Sequence, residues 1–251
     1  MSSAVDGACD TLRDLLASRA HQKVAPQAIF AQVEQVVRAL GFEHCAYGLR
    51  LPVPFTNRRY MLLSNYAAAW QQRYAAAGYV ETDPTVRHGT HSLLPVVWSN
   101  ELFANAPQLW AEARSFGLRV GWAQSCFDGW GQVGMLTVAR SHEAFSDVEL
   151  VAIEPTLSWL VIVTHAAISP MLIKGTPADV KPLTRRECEV LSWSADGKSS
   201  AQMAAILRIS ANTVNFHVRN TLDKLQVPNR TAAVARAAAL GLLDFRSQSQ
   251  R

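Results

Sequence analysis

Cysteine is scarce in this 251-residue chain, and its four cysteines are scattered at positions 9, 45, 126 and 188. None forms a C-x-x-C pair, so neither a disulfide framework nor a zinc site is suggested. No G-x-x-x-x-G-K-[ST] loop is present, and no G-x-G-x-x-G follows a strand, so the usual nucleotide cradles are missing. Seven histidines are spread out, and none stands at a recognisable spacing from a Cys, Ser or acid. No nucleophile–base pair is visible, and no enzyme activity is expected. The most apolar run, Leu157 to Ile168, is too short to span a bilayer and contains Ser158, Thr164 and His165. No signal peptide precedes the first helix, and no internal repeat or low-complexity tract appears. The expectation is a reduced, cytoplasmic protein with no metal, no cofactor and no membrane partner.

What is present is apolar content and an uneven charge. An apolar fraction of 49% can fill two ordinary cores. From Thr176 onward there are 11 Lys+Arg against 6 Asp+Glu, a net of +5, whereas the first 175 residues hold 13 against 14, a net of −1. Positive charge at the C-terminal end suits phosphate binding, but the excess is modest, so one copy should bind nucleic acid weakly and a dimer is expected.

The C-terminal stretch reads as four short helices. Thr184 and Glu187 form an S/T-x-x-E capping box, with Leu183 before it, and Gly197 closes the helix that follows. Ser200 caps a second helix, Ala201 to Leu207, and Arg208, Ile209 and Ser210 make a turn. From Ser210 to Val227 one helix carries two faces. Val214, Val218, Thr221, Leu222 and Leu225 recur at core spacing. Asn212, Asn215, Phe216, Arg219 and Asp223 fall outward, and amides and guanidinium groups can pair with base edges in a major groove. A last helix runs from about Arg230 to Leu240 and ends at Gly241.

Upstream, helices are expected at Thr11–Ala20 and Pro26–Leu40, strands at Phe42–Leu51 and Arg59–Ser64, and a helix at Ala67–Ala77. Pro52 and Pro54 lie in the connection between the strands. Asp83-Pro84 opens a short helix with Asp as N-cap. Leu93–Trp98 is extended, Gln108–Phe116 is helical, and Arg119–Phe127 and Gln132–Arg140 are strands around the turn Asp128–Gly131. Phe145 to Leu150 gives a capping box and staple for a long helix to about Ile168, kinked near Pro155. Helices, then strands, then helices indicate an α+β fold: an N-terminal α/β/α sandwich around an antiparallel sheet, followed by an all-α four-helix helix-turn-helix domain. The expected boundaries are residues 1–168, a proline-rich linker at 169–182, and 183–251.

The N-terminal part carries a band of aromatics with one acid: Tyr60, Tyr66, Trp70, Tyr74, Asp83, Trp98, Trp110, Trp122 and Trp130. Tyr66, Trp70 and Tyr74 share a helical face. Each alone reads as a core residue, and Asp83 alone as a cap. Together they hold N–H and O–H donors and one acceptor that need partners once buried. A ligand with two carbonyls and one N–H would satisfy them.

The segment from Leu183 to Leu243 resembles the helix-turn-helix of the LuxR (GerE-like) transcription regulators, through Leu183-Thr184, Glu187, Leu191, Gly197, Ile206, Thr213-Val214, His217, Asn220, Lys224-Leu225, Val227, Asn229-Arg230-Thr231 and Gly241-Leu242-Leu243. Asn215 departs from the lysine common there, and an amide favours adenine where a cation favours guanine or phosphate. Ser64-Asn65-Tyr66, Trp70, Tyr74, Asp83-Pro84, Trp98, Gly131 and Thr137 resemble the autoinducer-binding domain of the same regulators. Ala46 is a second departure, because some close relatives carry a hydroxyl residue there.

The resemblance implies an N-acyl homoserine lactone as ligand. Trp70 would donate to the lactone carbonyl, Asp83 would accept the amide N–H, and Tyr66 would donate to the acyl carbonyl with help from Thr137. Trp98 would pack on the lactone ring and Tyr74 would line the pocket. Met61, Leu62, Val86, Leu109, Phe116 and Met135 are tail contacts or plain core. The implied partner is double-stranded DNA, bound by a homodimer. Asn215, Phe216 and Arg219 would face bases, with Asn212 on the same outward side. Thr213, His217, Asn220, Lys224 and Arg230 would position phosphates, with internal hydrogen bonding the alternative for His217 and Asn220. The long helix from Val148 is dimer interface or core. Two other functional classes lack their signatures in this chain. A phosphorylated receiver needs a strand-end acidic cluster and a late lysine, but Asp6, Asp10 and Asp14 lie in or before the first helix and Lys23 is the only lysine in residues 1–173. An enzyme acting on a small amphiphile lacks a visible nucleophile.

Overall fold

The computed structural model describes residues 3–18, 25–51, 59–128, 131–172 and 181–243. It forms two compact units. The first holds α1 (Ser3–Ser18), α2 (Pro26–Ala39), β1 (His44–Arg50), β2 (Tyr60–Ser64), α3 (Ala68–Ala76), a 3-10 turn at Tyr79–Glu81, α4 (Pro84–Gly89), β3 (Val96–Val97), α5 (Pro107–Ser115), β4 (Val120–Phe127), β5 (Val133–Arg140) and α6 (Asp147–Leu172). The strands make one antiparallel sheet in the order β2-β1-β5-β4-β3.

Strand alternation assigns the two faces of this sheet. Tyr47 on β1 points toward α6, where its hydroxyl lies 2.7 Å from His165 Nδ1. Its neighbours Ala46 and Gly48 face the other way, toward α3, α4 and α5. Helices α2 and α6 cover the first face. The second face meets a cluster of Trp70, Tyr79, Phe103, Leu109 and Leu118. The expected sandwich is therefore present.

Helix α6 differs from expectation at both ends. Ser146 Oγ accepts from the Glu149 N–H at 3.1 Å, but the Glu149 carboxylate turns to Arg140 in a two-pronged pair at 2.6 and 2.8 Å instead of closing a capping box. Phe145 packs on Phe42 at 5.7 Å and under Arg140. At the other end the helix runs past Pro155 and through Pro170 to Leu172. Pro170 has no N–H to give the carbonyl four residues back, and burial of Ala167, Ile168 and Ser169 holds that turn in place. By length and composition α6 could cross a membrane. Here Leu157, Leu160, Val161, Thr164 and His165 are buried against the unit's own core.

The second unit contains α7 (Arg185–Ala195), α8 (Ser200–Leu207), α9 (Ala211–Leu225) and α10 (Arg230–Ala239). The expected Thr184–Glu187 capping box forms. The start of α8 shifts by one residue: Ser199, not Ser200, is the N-cap, because Ser199 stands three residues before Gln202 and closes a second capping box with it. Ser210 caps α9 and Asn229 caps α10. Val190, Met203 and Val214 form one small core, and Leu191, Leu225, Ala233 and Ala237 another. The expected linker residues 173–180, the strand connection with Pro52 and Pro54, and Trp130 lie outside the described residues.

Candidate functional site

A cavity of about 280 Å³ opens between the sheet and α3, α4 and α5. Tyr66, Trp70, Tyr74, Asp83, Trp98 and Thr137 all line it. Each arrives by a separate local device. Asn65 accepts from the Cys45 N–H at 2.8 Å and donates to the Glu43 carbonyl at 3.2 Å, which ties the stretch before Tyr66 to β1. On α3, Trp70 and Tyr74 are one turn apart, with ring centroids 5.8 Å apart. Trp98 lies flat on β4 because Gly121 has no side chain: a Cβ there would sit 2.3 Å from the indole. Thr137 on β5 pairs with Ala46 and Ala123, both small, so the sheet floor is open at that row.

Asp83 is the electrostatic centre. It caps α4 and is half-buried. One carboxylate oxygen accepts from the Thr85 N–H at 2.8 Å and the Thr85 hydroxyl at 2.6 Å, and the other accepts from the Tyr74 hydroxyl at 2.9 Å. Burial pushes its carboxyl above the usual range, and the Thr85 and Tyr74 bonds pull against that rise. Burial also raises the Tyr66 and Tyr74 phenols, so both remain neutral donors. The cavity thus offers hydroxyl and indole donors around one anchored carboxylate. Inside it, Trp98 Nε1 and Ser125 Oγ are buried and have no protein partner among the described residues.

The expected aromatic band divides between the cavity and the surrounding core. Tyr60, Tyr66, Trp70, Tyr74 and Trp98 line the cavity. Trp110 stacks on Phe103 at 4.6 Å and donates to Asn100, behind the wall. Trp122 is fully buried on the opposite sheet face. Among the expected tail contacts, Met61, Leu62, Val86, Leu109 and Met135 line the cavity. Phe116 instead backs Trp70 at 5.4 Å. Thr85, Ser125 and Arg50 also line the cavity and were not anticipated. Thr85 follows the Asp-Pro cap directly, which was a usable signal. Ser125 and Arg50 became visible only once strand register was known.

On α9 the expected outward residues Asn212, Asn215, Phe216, Arg219 and Asp223 are all exposed. Phe216 keeps 57% of its surface in solvent, a large apolar ring on an otherwise polar face. Thr213 shares the helix cap with Ser210 at 2.8 Å. Asn215 Oδ1 accepts from the Ser200 hydroxyl at 2.8 Å, and Arg230 donates to that same hydroxyl at 2.8 Å. Lys224 is not a free cation: it reaches Glu187 at 2.7 Å and the Pro182 carbonyl at 3.0 Å, tying α9 to α7. The alternative of internal hydrogen bonding for His217 and Asn220 gains no side-chain bond among the described residues, although the His217 ring meets Phe216 at 5.6 Å.

Residues 25–168 match the family described as the autoinducer binding domain, and residues 181–237 match bacterial regulatory proteins of the luxR family. The chain belongs to the LuxR family of regulators. It is 41% identical to the transcriptional activator protein SolR of Ralstonia nicotianae, over 89% of this chain and 95% of that protein. It is 42% identical to the transcriptional activator protein AnoR of Acinetobacter nosocomialis, over 86% and 92%. The structure of SdiA in complex with octanoyl-rac-glycerol is similar with a TM-score of 0.77 at 30% identity, covering 93% of this chain and 96% of that one. This LuxR-family chain is therefore a transcription regulator with an autoinducer-binding domain and a helix-turn-helix, and not an enzyme.

Proposed function

We propose that this regulator binds an N-acyl homoserine lactone in the cavity and, as a dimer, reads DNA with α9. The observation that carries the reading is the convergence of Tyr66, Trp70, Asp83, Trp98 and Thr137 on one enclosed, largely apolar space. Trp70 donates to the lactone carbonyl and Asp83 accepts the amide N–H. Tyr66 donates to the acyl carbonyl, with Thr137 beside it. Trp98 packs on the lactone ring, and Tyr74 both lines the pocket and holds Asp83. Each neutral hydrogen bond contributes about 0.5–1.5 kcal/mol and the one to charged Asp83 about 1.5–3 kcal/mol. Burial of the acyl chain adds about 0.8 kcal/mol per methylene, so chain length dominates affinity while the polar set fixes orientation.

The dimer is supported by an exposed apolar stripe on α6. Val148 is 82% exposed, Val151 72% and Ile162 62%, with Pro155 exposed between them. A second copy of this chain is the partner that such a stripe fits in a dimeric DNA reader. Two copies place two α9 helices in successive major grooves. Asn215, Phe216, Arg219 and Asn212 face bases, and Thr213 and Asn220 approach phosphates. Lys224 and Arg230 act mainly by bracing α9. DNA binding places the protein in the cytoplasm.

The test is mass spectrometry of ligand retained by full-length protein after expression with a panel of acyl lactones, scored with soluble yield. Octanoylglycerol, the SdiA ligand, belongs in the panel. Retention of one lactone at stoichiometric level supports the reading. Retention of octanoylglycerol in preference to every lactone would overturn it.

A further inference from the structure

We propose that Ser125 makes the pocket selective for an oxygen-bearing acyl chain, so that 3-hydroxyacyl or 3-oxoacyl lactones bind in preference to unsubstituted ones. The proposal rests on the lactone reading above. Ser125 is 3% exposed, and its hydroxyl is buried with no partner among the described residues. It is not an ordinary core serine, because it lines the cavity. On β4 it pairs with Met135, two positions beyond the Ala123–Thr137 pair, and shares the pocket face with Ala123. The surroundings are tight. A Cβ on Gly89 would lie 2.1 Å from Ser125 Oγ and 3.2 Å from Met135 Sδ. Only a glycine at the end of α4 leaves room for this hydroxyl.

Its place along the cavity assigns what it meets. Thr137 stands in the row assigned to the ligand's amide end. Ser125 is two residues further along the strand from the position facing Thr137, roughly 7 Å at strand rise. A hydroxyl at that distance meets the tail and not the lactone head. A serine hydroxyl donates to an oxo group and accepts from a hydroxyl. A bare methylene offers neither and leaves the buried oxygen unpaired.

The experiment measures binding of N-octanoyl-, N-(3-oxooctanoyl)- and N-(3-hydroxyoctanoyl)-homoserine lactone to the full chain and to Ser125→Ala. The wild type should bind an oxygenated ligand about tenfold tighter than the octanoyl one. Ser125→Ala should erase that preference while leaving octanoyl affinity and the melting temperature of the ligand-free protein unchanged or higher. Equal weakening of all three ligands would overturn the proposal and make the serine a holder of water or a packing residue. A wild type without preference for oxygenated chains would also overturn it. Failure of all three lactones to bind the wild type would instead sink the lactone reading, and this inference with it.

Discussion

In the C-terminal unit every helix begins with a side-chain cap: Thr184, Ser199, Ser210 and Asn229. In the N-terminal unit α2, α3 and α5 begin after Ala25, Ala67 and Ala106, with no side-chain cap. One of its few caps, Asp83, is the same carboxylate that faces the cavity. The C-terminal helices are closed by local sequence. Those around the pocket depend on what packs between them, and two buried donors there, Trp98 Nε1 and Ser125 Oγ, lack partners among the described residues. A ligand in that space, as proposed, would act as core for the first unit, while the second is closed by its own caps.

The sharpest way to break this contrast is Trp70→Ala or Asp83→Asn. Either should abolish the lactone dose–response and the ligand-dependent soluble yield, with the C-terminal unit still folded by circular dichroism. An unchanged dose–response would remove these residues from the site. The next largest effect belongs to the second unit's own buried pair. Lys224→Met should destabilise that unit by about 2–3 kcal/mol in denaturant melts, because it strands the 97%-buried side chain of Glu187. Burial disfavours ionisation of Glu187, but the Lys224 and Thr184 bonds outweigh it and hold the carboxyl below its usual range. Its contribution is thus complete above the ordinary glutamate range and fades as pH falls through the lowered value. An acid titration of the isolated transition should lose this dependence in Lys224→Met.

Arg219→Ala should reduce specific DNA affinity by about 1–2 kcal/mol and non-specific affinity by less. Equal losses would make it a phosphate contact. The smallest effect is expected at Gln226, a left-handed C-cap with φ of 52°. Gln226→Gly removes the strain of that conformation but loosens the unfolded chain, for a net gain under about 1 kcal/mol.

The legible parts of the sequence were those governed by neighbours a few residues apart. The Thr184–Glu187 box, the Asp83 cap and the α3 face of Trp70 and Tyr74 all follow from local spacing. Long-range competition was not legible. Glu149 was expected to cap its own helix, but Arg140 from β5 claims it. Lys224 was expected at phosphate, but Glu187, 37 positions away, claims that. Ser125 and Trp122 sit on one strand and face opposite sides, and only register reveals which side is the pocket. At α8 the cap expected at Ser200 falls instead on Ser199, because Gln202 stands three residues after Ser199.

The serine left over from that choice has a further effect. Ser200, freed from capping, accepts a hydrogen bond from Arg230 and donates its own hydroxyl to Asn215 Oδ1. The amide is thereby polarised, with its oxygen turned inward and its NH2 group presented outward. In the proposed reading role Asn215 then behaves as a donor alone, as the family's lysine would. It suits the paired acceptors of guanine or the single acceptor of thymine rather than the mixed edge of adenine. Under that proposal, base preference at Asn215 would depend on three helices at once, through the chain of hydrogen bonds that starts at Arg230 on α10.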